Sequence, residues 1–141
     1  MENYLTKILT ITRWLYSAFF LLIGAQALLA SAGILSASEF PGSPETKEFT
    51  NAIFATGFIG PIMSVTYVAS GILMLFNRTA PLGIVLLAPF IVVILFTHLM
   101  LNGSPAFGIL LAALLGLLAW QFRDAYKPMW NYQGEVNIKR W

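Results

Sequence analysis

Scanned for the order of apolar and polar positions, the chain shows four long apolar stretches broken by short polar punctuation. They cover residues 14–37, 58–76, 81–101 and 105–122. A helix that crosses a bilayer needs roughly 20 apolar residues, with a usual range near 17–25, and each stretch meets that length. Barrel strands would instead need alternating polarity over segments of about 10 residues, which is missing here. In hydrocarbon the backbone must satisfy its own hydrogen bonds, so each stretch is expected to be helical. The connections at 76–83 and 101–106 are tight, and each carries a proline suited to the first turn of the next helix. Short turns make neighbours antiparallel. The predicted fold is therefore an all-α membrane protein, a four-transmembrane-helix antiparallel bundle spanning residues 1–126, with a polar-aromatic tail at 127–141.

The connection after the first span is longer and has a helix signature of its own. Ser43 is placed to cap, Pro44 takes the first helical position, and Glu45 and Thr46 follow. Phe49, Ile53 and Phe54 fall on one face, which predicts a short amphipathic outer helix lying on the membrane surface. The first span repeats small pairs every seven residues: Ser17-Ala18, Gly24-Ala25 and Ser31-Ala32. The fourth places Gly108, Ala112 and Gly116 four apart. Such stripes let helices approach closely where apolar side chains gain nothing over lipid. Gly71 offers a further close-approach point, and Pro89 is expected to kink the third span.

Composition agrees with lipid as the solvent. Hydrophobic residues make up 58% of the chain and charged residues only 10%, against about 25% charged in soluble domains. With a formal charge of +2 and no basic run, nucleic acid is not an expected partner. The absence of cysteine excludes disulfides, thiol redox chemistry and cysteine-ligated metal centres. The first stretch is too long for a cleavable signal peptide. If both termini share one side, that side holds Lys7, Arg13, Arg78, Arg123, Lys127, Lys139 and Arg140, and the other holds only Lys47. The bias predicts cytoplasmic termini. Arg78 then serves as a turn anchor for carbonyls or lipid phosphate.

The polar residues inside the spans include Gln26, Ser64, Thr66, Tyr67, Ser70, Thr97 and His98, and no Asp or Glu falls in any of them. Ion-coupled transport usually places carboxylates at depth, so it is disfavoured. His98 is the only histidine. No second imidazole completes a bis-histidine haem or a three-ligand zinc site, so no catalytic or metal residues are assigned. Haem on His98 alone, a quinone contact, proton transfer and a hydrogen bond between helices all remain open. Tyr67, Gln26 and Thr97 are the other candidate ligand-binding residues.

The stretch "RWLYSAFFLLIGAQAL", with Arg13, Phe20 and Gly24, comes first in a series of family-like features. Gly57 and Pro61 follow with G-x-x-x-P spacing, then Gly71, the turn from Asn77 through Arg78 to Pro81, and "APFIVVILFTHL" with Pro89 and His98. Together they resemble the DoxX-like family of small four-helix membrane proteins over nearly the whole chain except the tail. The resemblance implies a multi-pass protein of a bacterial inner membrane. It also implies links to quinone-associated sulfur oxidation and to membrane oxidoreductase complexes, with other membrane subunits or a second copy as partners. The sequence departs from the family where chemistry would lie. Tyr67 stands where a glutamate is common, Val93 where an asparagine is often found, and Ala27 at a lysine-like position. Two functions follow: a non-enzymatic accessory or assembly subunit, or a quinone-interacting subunit in which His98 holds the quinone.

Overall fold

A computed structural model of the protein describes residues 2–34, 43–101 and 103–130. Six helices account for most of them: α1 (Glu2–Ser31), α2 (Pro44–Ala55), α3 (Ile59–Leu75), α4 (Ala80–Met100), α5 (Pro105–Gln121) and α6 (Arg123–Trp130), and no strand is found among the described residues. α1 packs on α3, α3 on α4 and α4 on α5, with smaller contacts of α2 on α3 and α1 on α5. Tyr16, Phe20, Met74, Leu87, Leu111 and Leu118 meet in the core.

Two helices, α1 from Tyr4 and α4, are each long and apolar enough to cross a membrane. α3 and α5 have 17 residues each, roughly 25 Å at 1.5 Å per residue, just under a hydrocarbon core of about 30 Å. They qualify when counted with α2 and α6, from which they are bent by 97° and 78°. The chain thus has two to four candidate spans. Its outward surface is rich in exposed Leu, Ile, Val and Phe, as expected of a membrane-embedded protein in contact with lipid.

α3, α4 and α5 begin and end within a residue of the last three apolar stretches. α1 departs from the first. α1 begins twelve residues before Trp14, because the polar residues of "NYLTKILTIT" can lie on a helix outside the lipid without ending it. It stops at Ser31, where Gly33 has φ 72°. The Ile34 amide donates to the Leu29 carbonyl and the Gly33 amide to Ala30, both at 3.0 Å. This is a Schellman stop that only a residue tolerant of the left-handed region closes without strain. Residues 35–37 of the expected span lie outside the described residues, as do 131–141 of the expected tail. Residue 127, taken as the start of that tail, falls within α6.

α2 starts as expected, with Ser43 as its cap accepting from the Thr46 amide at 3.2 Å and Pro44 in the first turn. Its setting differs from the expectation. Phe54 packs its ring on Gly60, and Phe49, Ile53 and Phe54 line an internal cavity. The apolar face is therefore turned toward the protein's own helices. Thr56 joins the elements: its Oγ1 donates to the Ile53 carbonyl at 2.7 Å and accepts from the Ile59 amide at 3.1 Å. Pro61 follows in the first turn of α3, where its missing N–H leaves no gap in the ladder.

The glycines divide sharply. A Cβ on Gly24 would stand 2.8 Å from Tyr67 Cβ and 3.0 Å from the Ser64 carbonyl. On Gly71 it would meet the Leu21 side chain at 2.6 Å and the Ser17 carbonyl at 3.1 Å. Both are seams between α1 and α3. Gly116 has nothing within 4 Å of such a Cβ. The lower half of the α5 stripe is therefore not a packing seam within this chain, because it lies on the outer side of the helix. α4 continues as helix through Pro89, which is exposed.

Candidate functional site

A cavity of about 520 Å³, open on one side, lies between the upper halves of α1, α3, α4 and α5. That is within the size range of small-molecule sites, roughly 300–1,000 Å³. Its wall is mostly aromatic and aliphatic: Phe19 and Phe20 from α1, Met63 from α3, Ile94 from α4, Phe107 and Leu111 from α5. α2 forms its roof. Ser43 Oγ and Thr46 Oγ1 both donate to the carbonyl of Leu101, the latter at 3.1 Å, which clips the start of α2 to the end of α4.

The sequence proposed Tyr67, Thr97, His98 and Gln26 as ligand-binding residues. Tyr67, Thr97 and His98 line this one cavity. Gln26 is exposed on α1 and does not line it. α3 and α4 bring the first three together: Tyr67 is fixed by edge contacts with Phe20 at 5.4 Å and Phe90 at 5.6 Å between centroids.

The polar groups on the wall are not equivalent. Thr97 Oγ1 donates to its own helix at Val93, 2.9 Å, and Thr50 Oγ1 to Thr46 at 2.9 Å. Their protons are engaged. The hydroxyl of Tyr67 forms no hydrogen bond among the described residues. His98 forms none either, and its Nδ1 is buried without a partner. The start of α5 grips the ring by shape: Phe107 meets it edge-on at 5.2 Å, and a Cβ on Gly103 would come within 2.6 Å of Nδ1.

No Asp, Glu, Lys or Arg lines the cavity among the described residues, which suits a neutral guest with one or two hydrogen-bond acceptors. Among the described residues no three potential metal ligands come together. The remaining sequence candidates lie away from the cavity lining. Gly24, Pro61 and Gly71 shape the seams of α3, and Arg78 is exposed on the turn before α4. Arg13, expected near an interface, is buried.

Sequence reasoning missed the link that does tie two spans here, from Tyr16 Oη on α1 to the Leu111 carbonyl on α5 at 3.0 Å. It also missed the Leu101 clip. A tyrosine one turn beyond an arginine and a capping serine were the available signals, and neither names its distant partner. Comparison of the chain with protein-family models, curated proteins and solved structures finds no match.

Proposed function

We propose that the protein is a four-span antiparallel membrane bundle that holds a neutral, ring-bearing lipophilic ligand of the quinone class. In this reading it serves as a non-enzymatic accessory subunit of a larger membrane redox complex, as its DoxX-like resemblance implies. α1, α3, α4 and α5 are the spans, with α2 and α6 lying across the two ends and the bilayer thinning to the 17-residue helices. Exposed Trp14 and Trp120, beside the basic residues, support an orientation with both termini in the cytoplasm of a bacterial inner membrane.

One observation carries the ligand. A mostly apolar cavity, with no Asp, Glu, Lys or Arg among its described lining residues, holds a tyrosine hydroxyl and an imidazole that form no hydrogen bond among the described residues. Each can donate to a carbonyl oxygen without burying a charge. A quinone offers two such oxygens on a flat ring that aromatic walls accept. A partner subunit would supply electrons, and the open face at Gly116 is where another helix can approach.

The test is extraction of the purified protein followed by quinone analysis, and titration of the stripped protein with a short-chain ubiquinone analogue. Retained quinone and saturable binding that weakens in His98→Ala are expected. Absence of both co-purified quinone and analogue binding would overturn the ligand reading. His98→Gln separates roles, because an amide can donate to a carbonyl but cannot cycle a proton near neutral pH.

A further inference from the structure

A second set of buried polar groups lies at the other end of the molecule and takes no part in the cavity. Arg13 is 2% exposed, and its Nε and Nη1 are buried without a hydrogen-bond partner. The ring of Phe122 covers one face of the guanidinium, 5.7 Å from centroid to carbon, and offers no acceptor to the in-plane Nε and Nη1. Arg13 makes no salt bridge among the described residues.

Three more buried, unpartnered polar groups lie on α1 itself and on the two helices, α3 and α5, that pack against it. Ser17 lies one turn further along α1, fully buried, with Oγ unpartnered. Its carbonyl abuts Gly71, and the neighbouring Ser70 is likewise fully buried with Oγ unpartnered. Gln121, next to Phe122, has a buried Oε1 with no partner. The two serines are unusual within this chain. Ser64 donates to Gly60 and Ser31 to Ala27, each at 2.8 Å, which is the common solution for a hydroxyl on a helix. Ser17 and Ser70 leave that solution unused.

A guanidinium out of water with no counter-charge is strongly destabilising, and buried hydroxyls without partners add to the cost. An anion answers all of them. The fork of an arginine matches phosphate oxygens, and hydroxyls can donate to the same group. Gln121 Oε1 can accept from a hydroxyl on the ligand. The setting supplies attraction as well. Arg78 and Arg123 are exposed at this end, and Tyr126 Oη donates to the Pro81 carbonyl at 3.2 Å, closing α6 over the start of α4.

We propose that Arg13, Ser17, Ser70 and Gln121 form a binding site for a phosphate-bearing anion at the basic end of the molecule, supplied by a lipid headgroup or by free phosphate. This site is independent of the ligand in the His98 cavity.

The full chain, stripped of lipid in neutral detergent, would be followed by thermal unfolding and native mass spectrometry. Three additions are compared: phosphatidylglycerol, diacylglycerol with no phosphate, and sodium phosphate. Phosphatidylglycerol should raise the midpoint and remain bound, and diacylglycerol should do neither. An equal rise with sodium phosphate would identify free phosphate as the source. Arg13→Gln should weaken binding by about tenfold or more, the loss of a charge-assisted contact. The double variant Ser17→Ala, Ser70→Ala guards against a misfolded arginine variant. It should unfold at a higher temperature without ligand, yet respond less to the phosphate-bearing addition. The proposal is overturned if neither phosphate source shifts the wild type beyond diacylglycerol. It is also overturned if the double serine variant responds as the wild type does.

Discussion

The two ends of the molecule solve opposite problems with the same four helices. At the His98 end the helices spread, α2 covers the gap, and the polar groups are neutral dipoles on an apolar wall. At the Arg13 end the helices close around a full charge and three unpartnered oxygens. A neutral dipole in an apolar wall costs little and waits for an acceptor. A buried charge is costly until an anion meets it. In the two readings proposed above, the same chain separates a site for a neutral guest from a site for a charged one.

The seams give the largest expected effect. Gly24→Leu forces a side chain into Tyr67 and into the backbone of Ser64, which cannot yield as a flexible side chain can. Overpacking of this kind costs about 1–3 kcal/mol or more, so Gly24→Leu should unfold far earlier in a detergent stability assay. Gly116→Leu, added to open space, should leave the isolated chain's stability unchanged and act only on assembly with another helix, read by size-exclusion chromatography. Equal destabilisation of the isolated chain by both would erase the distinction between a seam and an open face.

Next come two tyrosines that look alike in sequence. Tyr16 donates to Leu111 and does not line the His98 cavity, whereas Tyr67 has no hydrogen-bond partner among the described residues and lines it. Tyr16→Phe should cost stability, by about 0.6 kcal/mol on average for a hydrogen bond inside a membrane, and leave quinone-analogue binding unchanged. Tyr67→Phe should do the reverse, weakening binding about tenfold, equivalent to about 1.4 kcal/mol. If both variants behave alike in both assays, the assignment of an unpartnered hydroxyl to ligand fails.

What could be read from the sequence follows from which forces are local. Apolar length and turn prolines located α3, α4 and α5, because burial in lipid depends on composition alone. The Ser43-Pro44 start of α2 was legible because a cap is contained in four residues. The start of α1 was hidden, since apolar length marks the membrane and not the helix. The burial of Arg13 was hidden too. Counting charges places an arginine near an interface but cannot say whether Phe122, over a hundred residues away, will cover it. Tyr67, Thr97 and His98 were selected one by one as polar residues in apolar spans, and only the crossing of α3 and α4 makes them neighbours. His98 forms no hydrogen bond among the described residues, and what meets its ring, Phe107 edge-on and the close backbone of Gly103, cannot be read from a lone histidine in an apolar run.

The roof provides a smaller effect that bears on exchange more than on folding. Ser43 serves two roles, capping α2 and donating to Leu101. Ser43→Ala should cost about 1 kcal/mol, the usual worth of a cap, and should speed release of a bound quinone analogue in stopped-flow measurements. Unchanged release would mean that α2 does not control access.

The smallest effect belongs to an exposed ion pair on α6 at the basic end. Asp124 and Lys127 approach to 2.6 Å one turn apart on α6, with side chains 70% and 73% exposed. The hydrogen bond and charge of Lys127 hold the Asp124 carboxyl below its ordinary value. A lowered folded value means that any stability it gives is present at neutral pH and fades as pH falls through that value. In water-exposed surroundings the pair competes with solvent and salt, and such pairs contribute little. Asp124→Asn should therefore leave the unfolding midpoint at pH 7 unchanged within error, and raising salt should make no difference between variant and wild type. The contrast with Arg13 is then direct, because the same kind of charge matters at one depth and not at the other. A marked loss on Asp124→Asn would mean that α6 is held in place by this pair rather than by the bond from Tyr126 to Pro81, and the Tyr126→Phe variant would then be the silent one.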